Sequence, residues 1–462
     1  MTAESPLKYN PPMAKRGKWK STLGFVLAAA GSAVGLGNIW RFPYVTGKNG
    51  GAVFLFFYIL SVLFLGLVVM YAELSLGRAT QKNPVGAFEK IKPSSPWKAV
   101  GFLGIFTGVG ILSYYSVIAG WTLYYFYISS LGKFSGNLTQ AQIDEIFSAF
   151  VSNPFLTISL LLVFIFLTSF IVSKGVSSGI ERWTGILMPL LFLILLILSI
   201  YSLTLPGASE GLKFYLKPDF SKVNLKMILS AVGQAFFSLS LGMGAMITYG
   251  SYLSREDNLF SSGIEVVAFD TLVAFLAGII IFPTVFTYGL SPQAGVPLVF
   301  KTLPFTFSRL PLGRLFGPLF FFLLAIAALT STISLVEVAT SYLVDERRIP
   351  RPRAAFLVGA VAFLLGIPSA LSTSPGLFSR FAFGKSFLDL MDYLWANLSL
   401  PLGALLLSIF VGYVWGAEKA AVEIRFRKDR KFPGEDLWIY DIKYFVPLVL
   451  AVILLFAAFG SS

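Results

Sequence analysis

Two short runs in this 462-residue chain combine glycine with small polar residues inside otherwise apolar stretches. The first is Ala30-Gly31-Ser32-Ala33-Val34-Gly35-Leu36-Gly37-Asn38, and the second is Ser238-Leu239-Ser240-Leu241-Gly242-Met243-Gly244. Glycine is a poor helix former, so a Gly-x-Gly flanked by serines favours a local break. A break inside lipid frees N–H and C=O groups that something must satisfy. Freed carbonyls suit a cation, and the amino end of the next half-helix suits a carboxylate. The alternative is that these glycines only let helices approach closely. Nucleophilic and metal-protease chemistry is excluded, because the chain has no cysteine and no histidine. Neither a Ser-His-Asp triad nor a histidine relay can be built. The remaining acids, Glu73, Asp270 and Glu337, are scattered through apolar stretches. That pattern does not suggest an enzyme, and no GxxxxGK[ST] run points to ATP.

These runs must be carried by membrane helices. Hydrophobic residues make up 56% and charged residues 13% of the chain, with a mean hydropathy of +0.77. A water-exposed surface needs about twice that charge. Eleven stretches approach the roughly 20 apolar residues of a span. They run over 22–47, 52–77, 99–131, 154–173, 179–204, 226–252, 262–289, 313–343, 354–369, 386–415 and 439–459. Stretches one, six, eight and ten carry polar or glycine-rich interruptions. With the N-terminus inside, the cytoplasmic segments hold 23 of the 36 Lys and Arg residues and the external loops hold 9. This agrees with the positive-inside rule. The net charge of +13 is thus read as topology, not as nucleic-acid binding. The polar first twenty residues do not resemble a signal peptide. An odd number of spans places the C-terminus outside. Breaks in spans one and six, five apart, are what an inverted repeat predicts.

Longer runs carry a resemblance. GSAVGLGNIWRFPYVTGKNGG (31–51), YAELSLGR (71–78), SYYSVIAGWT (113–122), AVGQAFFSLSLGMGAMITYGSY (231–252), ALTSTISLVE (328–337) and LDLMDY (388–393) closely resemble the neurotransmitter:sodium symporter family, in its bacterial amino-acid branch. The resemblance extends from Arg16 to about Ala458. It implies an all-α polytopic fold of eleven transmembrane helices, with helices 1 and 6 broken. The organisation expected is an N-terminal arm (1–21), a first five-helix repeat (22–204), an external loop (205–225), an inverted second repeat (226–415), and an internal loop with an accessory helix (416–462). It further implies a sodium-coupled symporter of a hydrophobic L-amino acid, working by alternating access in the plasma membrane of a prokaryotic cell. An amino-acid sensor of the same fold, without net transport, is the alternative.

The matched positions imply two Na⁺ sites. One uses the Ala33 carbonyl, Asn38, Ser238 and Asp270. The other uses the Gly31, Val34 and Ala327 carbonyls with the hydroxyls of Thr330 and Ser331. Both are hard oxygen sets, as a hard cation requires. Many family members have Asn where this chain has Asp270, and chloride-dependent members have Ser where it has Ala274. A carboxylate at 270 supplies the negative charge that chloride supplies elsewhere, so chloride independence is expected. The substrate carboxylate is expected at the N–H groups of Leu36 and Gly37 and at the Tyr115 hydroxyl. Carbonyls near Ala33, Phe237 and Ser240 are expected to face its amine, close to Ser238. Ile111, Tyr115, Phe237, Ser240, Met243, Ser331 and Leu335 form an apolar wall. Gly35 stands where monoamine carriers have Asp, which disfavours monoamines. The resemblance also implies an outer gate pair, Arg41 and Asp392. The implied inner pair is Arg16 and Asp345, supported by Trp19, Ser251 and Tyr252. Glu73, with Gln234, is expected to support the sixth span, and the Gly179–Pro189 element to loosen the fifth.

Overall fold

The computed structural model describes residues 17–290, 298–310, 312–374, 376, 378–426 and 429–459. Its regular elements among those residues are all helices, with a lone bridge between Ala382 and Lys385 as the only extended pairing among them. Among the described residues, nine helices are long and apolar enough to cross a bilayer. They run over Ala52–Thr80, Lys98–Ser130, Pro154–Ser173, Val176–Leu203, Leu259–Thr287, Gly313–Asp345, Arg351–Leu371, Phe387–Ile424 and Glu435–Ala457. A tenth forms if Thr22–Ala33 and Gly37–Lys48, bent by 48°, count as one span. The sixth expected stretch is helical in two pieces, Leu225–Ser238 and Ala245–Gly250. At 1.5 Å per residue neither piece covers a hydrocarbon core about 30 Å thick. The expected eleven are thus not reached by helix length alone.

Local sequence sets the helix starts. Ser21 accepts from the Gly24 N–H at the head of the first helix, and Asn153, Asn224 and Asn258 do the same job at three others. The two other stretches with polar or glycine-rich runs, the eighth and tenth, stay helical. Gly313–Asp345 is one continuous helix, because its hydroxyls turn back on their own backbone: Thr330 Oγ1 lies 3.0 Å from the Ala327 carbonyl and Ser334 Oγ 2.8 Å from that of Ser331. The tenth stretch carries π turns at Tyr393–Ser399 and Phe410–Gly416 in place of an unwound gap. The fifth is likewise helical, a π turn at Val176–Glu181 leading into Arg182–Leu203 with Pro189 inside it.

The Gly313–Asp345 and Lys98–Ser130 helices pack along one another at the centre, and both broken helices touch Gly313–Asp345. Large apolar side chains such as Phe166, Leu193, Ile200, Leu364 and Leu448 face outward. So much exposed apolar surface fits lipid, not water.

Candidate transport site

The first break spans Val34 to Leu36. Val34 leaves the helical region (φ −68°, ψ 108°), and a π turn restarts the helix at Gly37. Side chains from distant segments satisfy the freed groups. The Leu36 N–H donates to the Tyr115 hydroxyl at 2.9 Å, and the Gly35 N–H to Asn38 Oδ1 at 3.0 Å. The Val34 carbonyl accepts from Ser331 Oγ at 3.2 Å and from Thr330 Oγ1 at 3.5 Å. Glycine at 35 is a spatial requirement. A Cβ there would collide with the Ser331 hydroxyl and lie 2.7 Å from Tyr115 Oη.

The second break, from Leu239 to Gly244, is longer. Ser240, Gly242 and Gly244 all have positive φ, at 54°, 83° and 76°. For Ser240 this is an unusual conformation. Its hydroxyl donates to the Ser32 carbonyl at 2.9 Å, which ties the two breaks together. The buried Glu73 carboxylate holds the rest, accepting from the N–H groups of Gly242 (2.7 Å), Met246 (3.1 Å) and Ile247 (3.3 Å). Gln234 does not share this task. It donates to the Gly37 carbonyl at 2.9 Å and so supports the first break instead.

Between the breaks lies a cavity of about 30 Å³, lined by Ala33, Gly35, Gly37, Ile111, Tyr115, Phe237, Ser240, Met243, Ser331, Leu335 and Leu400. Leu36 and Ser238 stand outside this lining: Leu36 points only its N–H at Tyr115, and Ser238 belongs to the cluster beside it. Asn38 Nδ2 donates to Ser238 Oγ at 2.8 Å, Asp270 Oδ1 at 2.7 Å and the Asp270 carbonyl at 3.1 Å. Ser238 Oγ donates to Asp270 Oδ2 at 2.8 Å, and Tyr58 Oη reaches Ser238 at 3.3 Å and Asp270 at 3.4 Å. Asn38, Ser238 and Asp270 are thus adjacent, with Ala33 on the cavity side. In the other oxygen set, Val34, Ala327, Thr330 and Ser331 are joined by the hydrogen bonds above, and Gly31 lies against the Thr330 side chain.

Sequence and fold comparisons place the chain among known proteins. The sequence model of the sodium:neurotransmitter symporter family matches residues 16–145 and 137–461. The chain belongs to that family. An uncharacterized sodium-dependent transporter, YhdH of Bacillus subtilis, is 41% identical over 440 residues, covering 95% of this chain and 97% of its own. An uncharacterized sodium-dependent transporter of Methanocaldococcus jannaschii, MJ1319, is 36% identical over 88% of this chain and 83% of its own. The crystal structure of MhsT in complex with L-phenylalanine superposes with a TM-score of 0.89 at 43% identity, covering 96% of this chain and all of that one. This protein is therefore a sodium-dependent transporter of the multi-pass membrane type, not an enzyme.

The outer of the transporter's two expected gates differs from the simple pair anticipated. Arg41 and Asp392 form no direct ion pair. Asn397 sits between them, its Oδ1 3.4 Å from Arg41 Nη2 and its Nδ2 3.4 Å from Asp392 Oδ2. Arg41 is drawn aside by Gln234 Oε1 at 3.0 Å and by the Phe237 ring, 4.7 Å below its guanidinium. Asp392 accepts from Tyr114 Oη at 3.0 Å. At the opposite end Arg16 lies outside the described residues. Asp345 Oδ2 accepts from the main-chain N–H and the Nδ2 of Asn83, each at 3.3 Å. Trp19 Nε1 donates to the Tyr249 carbonyl at 3.0 Å, and its ring meets Tyr249 and Tyr252 edge-on. Ser251 turns its hydroxyl onto the Thr248 carbonyl at 2.5 Å. Tyr252 Oη donates to the buried Glu337 at 2.5 Å, and Glu337 pairs with Arg351.

Sequence reasoning missed Tyr58, Leu400, Asn397 and the Ser32 carbonyl. Tyr58 and Leu400 sit in ordinary apolar runs, so nothing in the sequence marks them. Asn397, a polar residue in an apolar span five positions after Asp392, was a usable signal.

Proposed function

We propose that this transporter carries a hydrophobic L-amino acid inward with two sodium ions, by alternating access and without chloride. The observation that carries the reading is the cavity between the breaks. At one end lies the Tyr115 hydroxyl, with the Leu36 N–H bonded to it from outside the lining; Ser240 and Ser331 add polar atoms, and the apolar walls are Ile111, Phe237, Met243, Leu335 and Leu400. A carboxylate entering that end replaces the Tyr115–Leu36 contact with two donors to one anion, a stronger arrangement. Crowding at Gly35 leaves no room for an acidic side chain there, which argues against amines lacking a carboxylate. Met243, with three rotatable bonds, is suited to reshaping the lining around a substrate side chain. The bound L-phenylalanine of MhsT favours a large apolar side chain.

The first sodium ion takes the Ala33 carbonyl, Asn38, Ser238 and Asp270, with the substrate carboxylate beside it. For this the Asn38 amide turns its oxygen to the cation. The second takes the Gly31, Val34 and Ala327 carbonyls with Thr330 and Ser331. Asp270 is buried beside Asn38 and Ser238, so its charge offsets the added cation where water cannot. Arg41, Asp392 and Phe237 close the outer path. Trp19, Tyr252 and Asp345, with Arg16, close the inner one.

Uptake of labelled amino acids into sealed proteoliposomes tests the whole reading. Accumulation driven by inward sodium, absent with potassium and unchanged when gluconate replaces chloride, is expected. Sodium-dependent binding without accumulation favours a sensor. Uptake lost in gluconate removes the role given to Asp270.

A further inference from the structure

A far larger cavity, about 480 Å³, opens at the lysine- and arginine-rich face of the molecule. Its walls are the short helix Pro84–Ile91, the start of the Lys98–Ser130 helix and the end of the Gly313–Asp345 helix. Four cations line it, Lys82, Lys90, Lys98 and Arg347, against two acids, Glu89 and Glu346. Each acid accepts from a neutral group, Glu89 Oε2 has no hydrogen-bond partner among the described residues, and the cations outnumber the acids four to two. Glu89 Oε1 accepts from the Ser94 N–H at 2.9 Å, and Glu346 Oε1 from Asn83 Nδ2 at 3.0 Å. None of the four cations pairs with a carboxylate among the described residues. Lys90 is anchored on a neutral group, the Thr80 carbonyl at 2.9 Å. Arg347 lies over the Tyr342 ring, 5.9 Å from its centroid. The remaining wall is apolar: Phe102 meets Tyr342 edge-on at 5.4 Å, with Val85 nearby.

Unpaired cations around an apolar floor, at the end of membrane-crossing helices, match an amphiphile with an anionic head. Anionic lipids attract such clusters by about 1 kcal/mol per Lys or Arg. We propose that this groove binds the phosphate headgroup of an anionic bilayer lipid. Asn83 links the groove to the inner-gate region, since its side chain contacts both Glu346 and Asp345. An occupied groove therefore steadies the segment that carries Asp345.

The test compares the full-length protein with Lys82→Ala/Lys98→Ala, and with Lys213→Ala/Lys217→Ala, an equal charge loss near the Ala208–Leu216 helix. Nanodiscs of phosphatidylcholine containing a minor fraction of phosphatidylglycerol supply the probe, and native mass spectrometry counts retained lipid. Retention about tenfold or more weaker in the first variant than in the parent is expected, with the second variant unchanged. All three proteins should keep sodium-dependent substrate binding, which shows that they are folded. Equal retention by all three overturns the proposal, as does equal loss in both variants. If glycerol phosphate or inorganic phosphate displaces the lipid at millimolar concentration, the site takes a soluble phosphate and the lipid assignment fails.

Discussion

The two breaks do the same thing to a helix and are held in opposite ways. In the first, three residues are uncoiled, and their groups rest on neutral partners: the Tyr115 hydroxyl, the Asn38 amide, and the hydroxyls of Thr330 and Ser331. In the second, six residues are uncoiled, and one buried carboxylate, Glu73, takes three N–H groups. Neutral hydrogen bonds contribute about 0.5–1.5 kcal/mol each, and those to charged groups about 1.5–3. The first break can therefore trade its partners for ions and a carboxylate at small cost. The second is held by a charge and gives up its partner at greater cost, so under the proposed function it is the fixed wall against which the first works.

Four substitutions break or sharpen this contrast. The largest effect is expected from Glu73→Ala. It strands three buried N–H groups, at about 1–3 kcal/mol each. A thermal midpoint in detergent many degrees below the parent's, with poor recovery of monodisperse protein, is the expected outcome; a variant as stable as the parent would remove the fixed-wall role. Asp270→Asn comes next. Losing a charged partner worth about 1.5–3 kcal/mol weakens sodium affinity about 10–100-fold in equilibrium binding. Adding Ala274→Ser should restore binding only with chloride present, and restoration in gluconate would contradict the charge argument. Tyr115→Phe acts on the exchangeable break alone. Substrate affinity should weaken by about 2–10-fold while the thermal midpoint barely moves. A large fall in stability with unchanged affinity would reverse the contrast. The smallest effect is expected for Ser240→Ala, which cuts the tie from the second break to the Ser32 carbonyl. About 1 kcal/mol, read as a modest shift in midpoint, is anticipated. A null result in both stability and binding would mean that the breaks are not coupled through it.

Both breaks were legible in the sequence because each carries Gly-x-Gly where a helix of apolar residues was otherwise expected. The eighth span shows why glycine matters: its Thr330-Ser331-Thr332 run is polar but contains no glycine, and the helix continues through it, Thr330 and Thr332 bonding their own backbone while Ser331 reaches the Ser32 and Val34 carbonyls. The gates were legible as residue types but not as contacts. Arg41 and Asp392 are 351 positions apart, and only the fold interposes Asn397 between them. Gln234 was assigned to its own span's break and serves the other, since sequence does not say which way a side chain on a buried helix points.

What the sequence determined unaided is everything set by composition and short-range pattern. The apolar runs dictate membrane helices, and the glycines mark where two helices must open. Only the tertiary structure decided which groups fill those openings. Uncoiled N–H and C=O groups inside a bilayer accept whatever polar atom is nearest in space. Tyr115 lies 79 positions from Leu36, and Glu73 lies 169 from Gly242. Proximity across such separations comes from packing eleven stretches of chain together, and no local pattern encodes it.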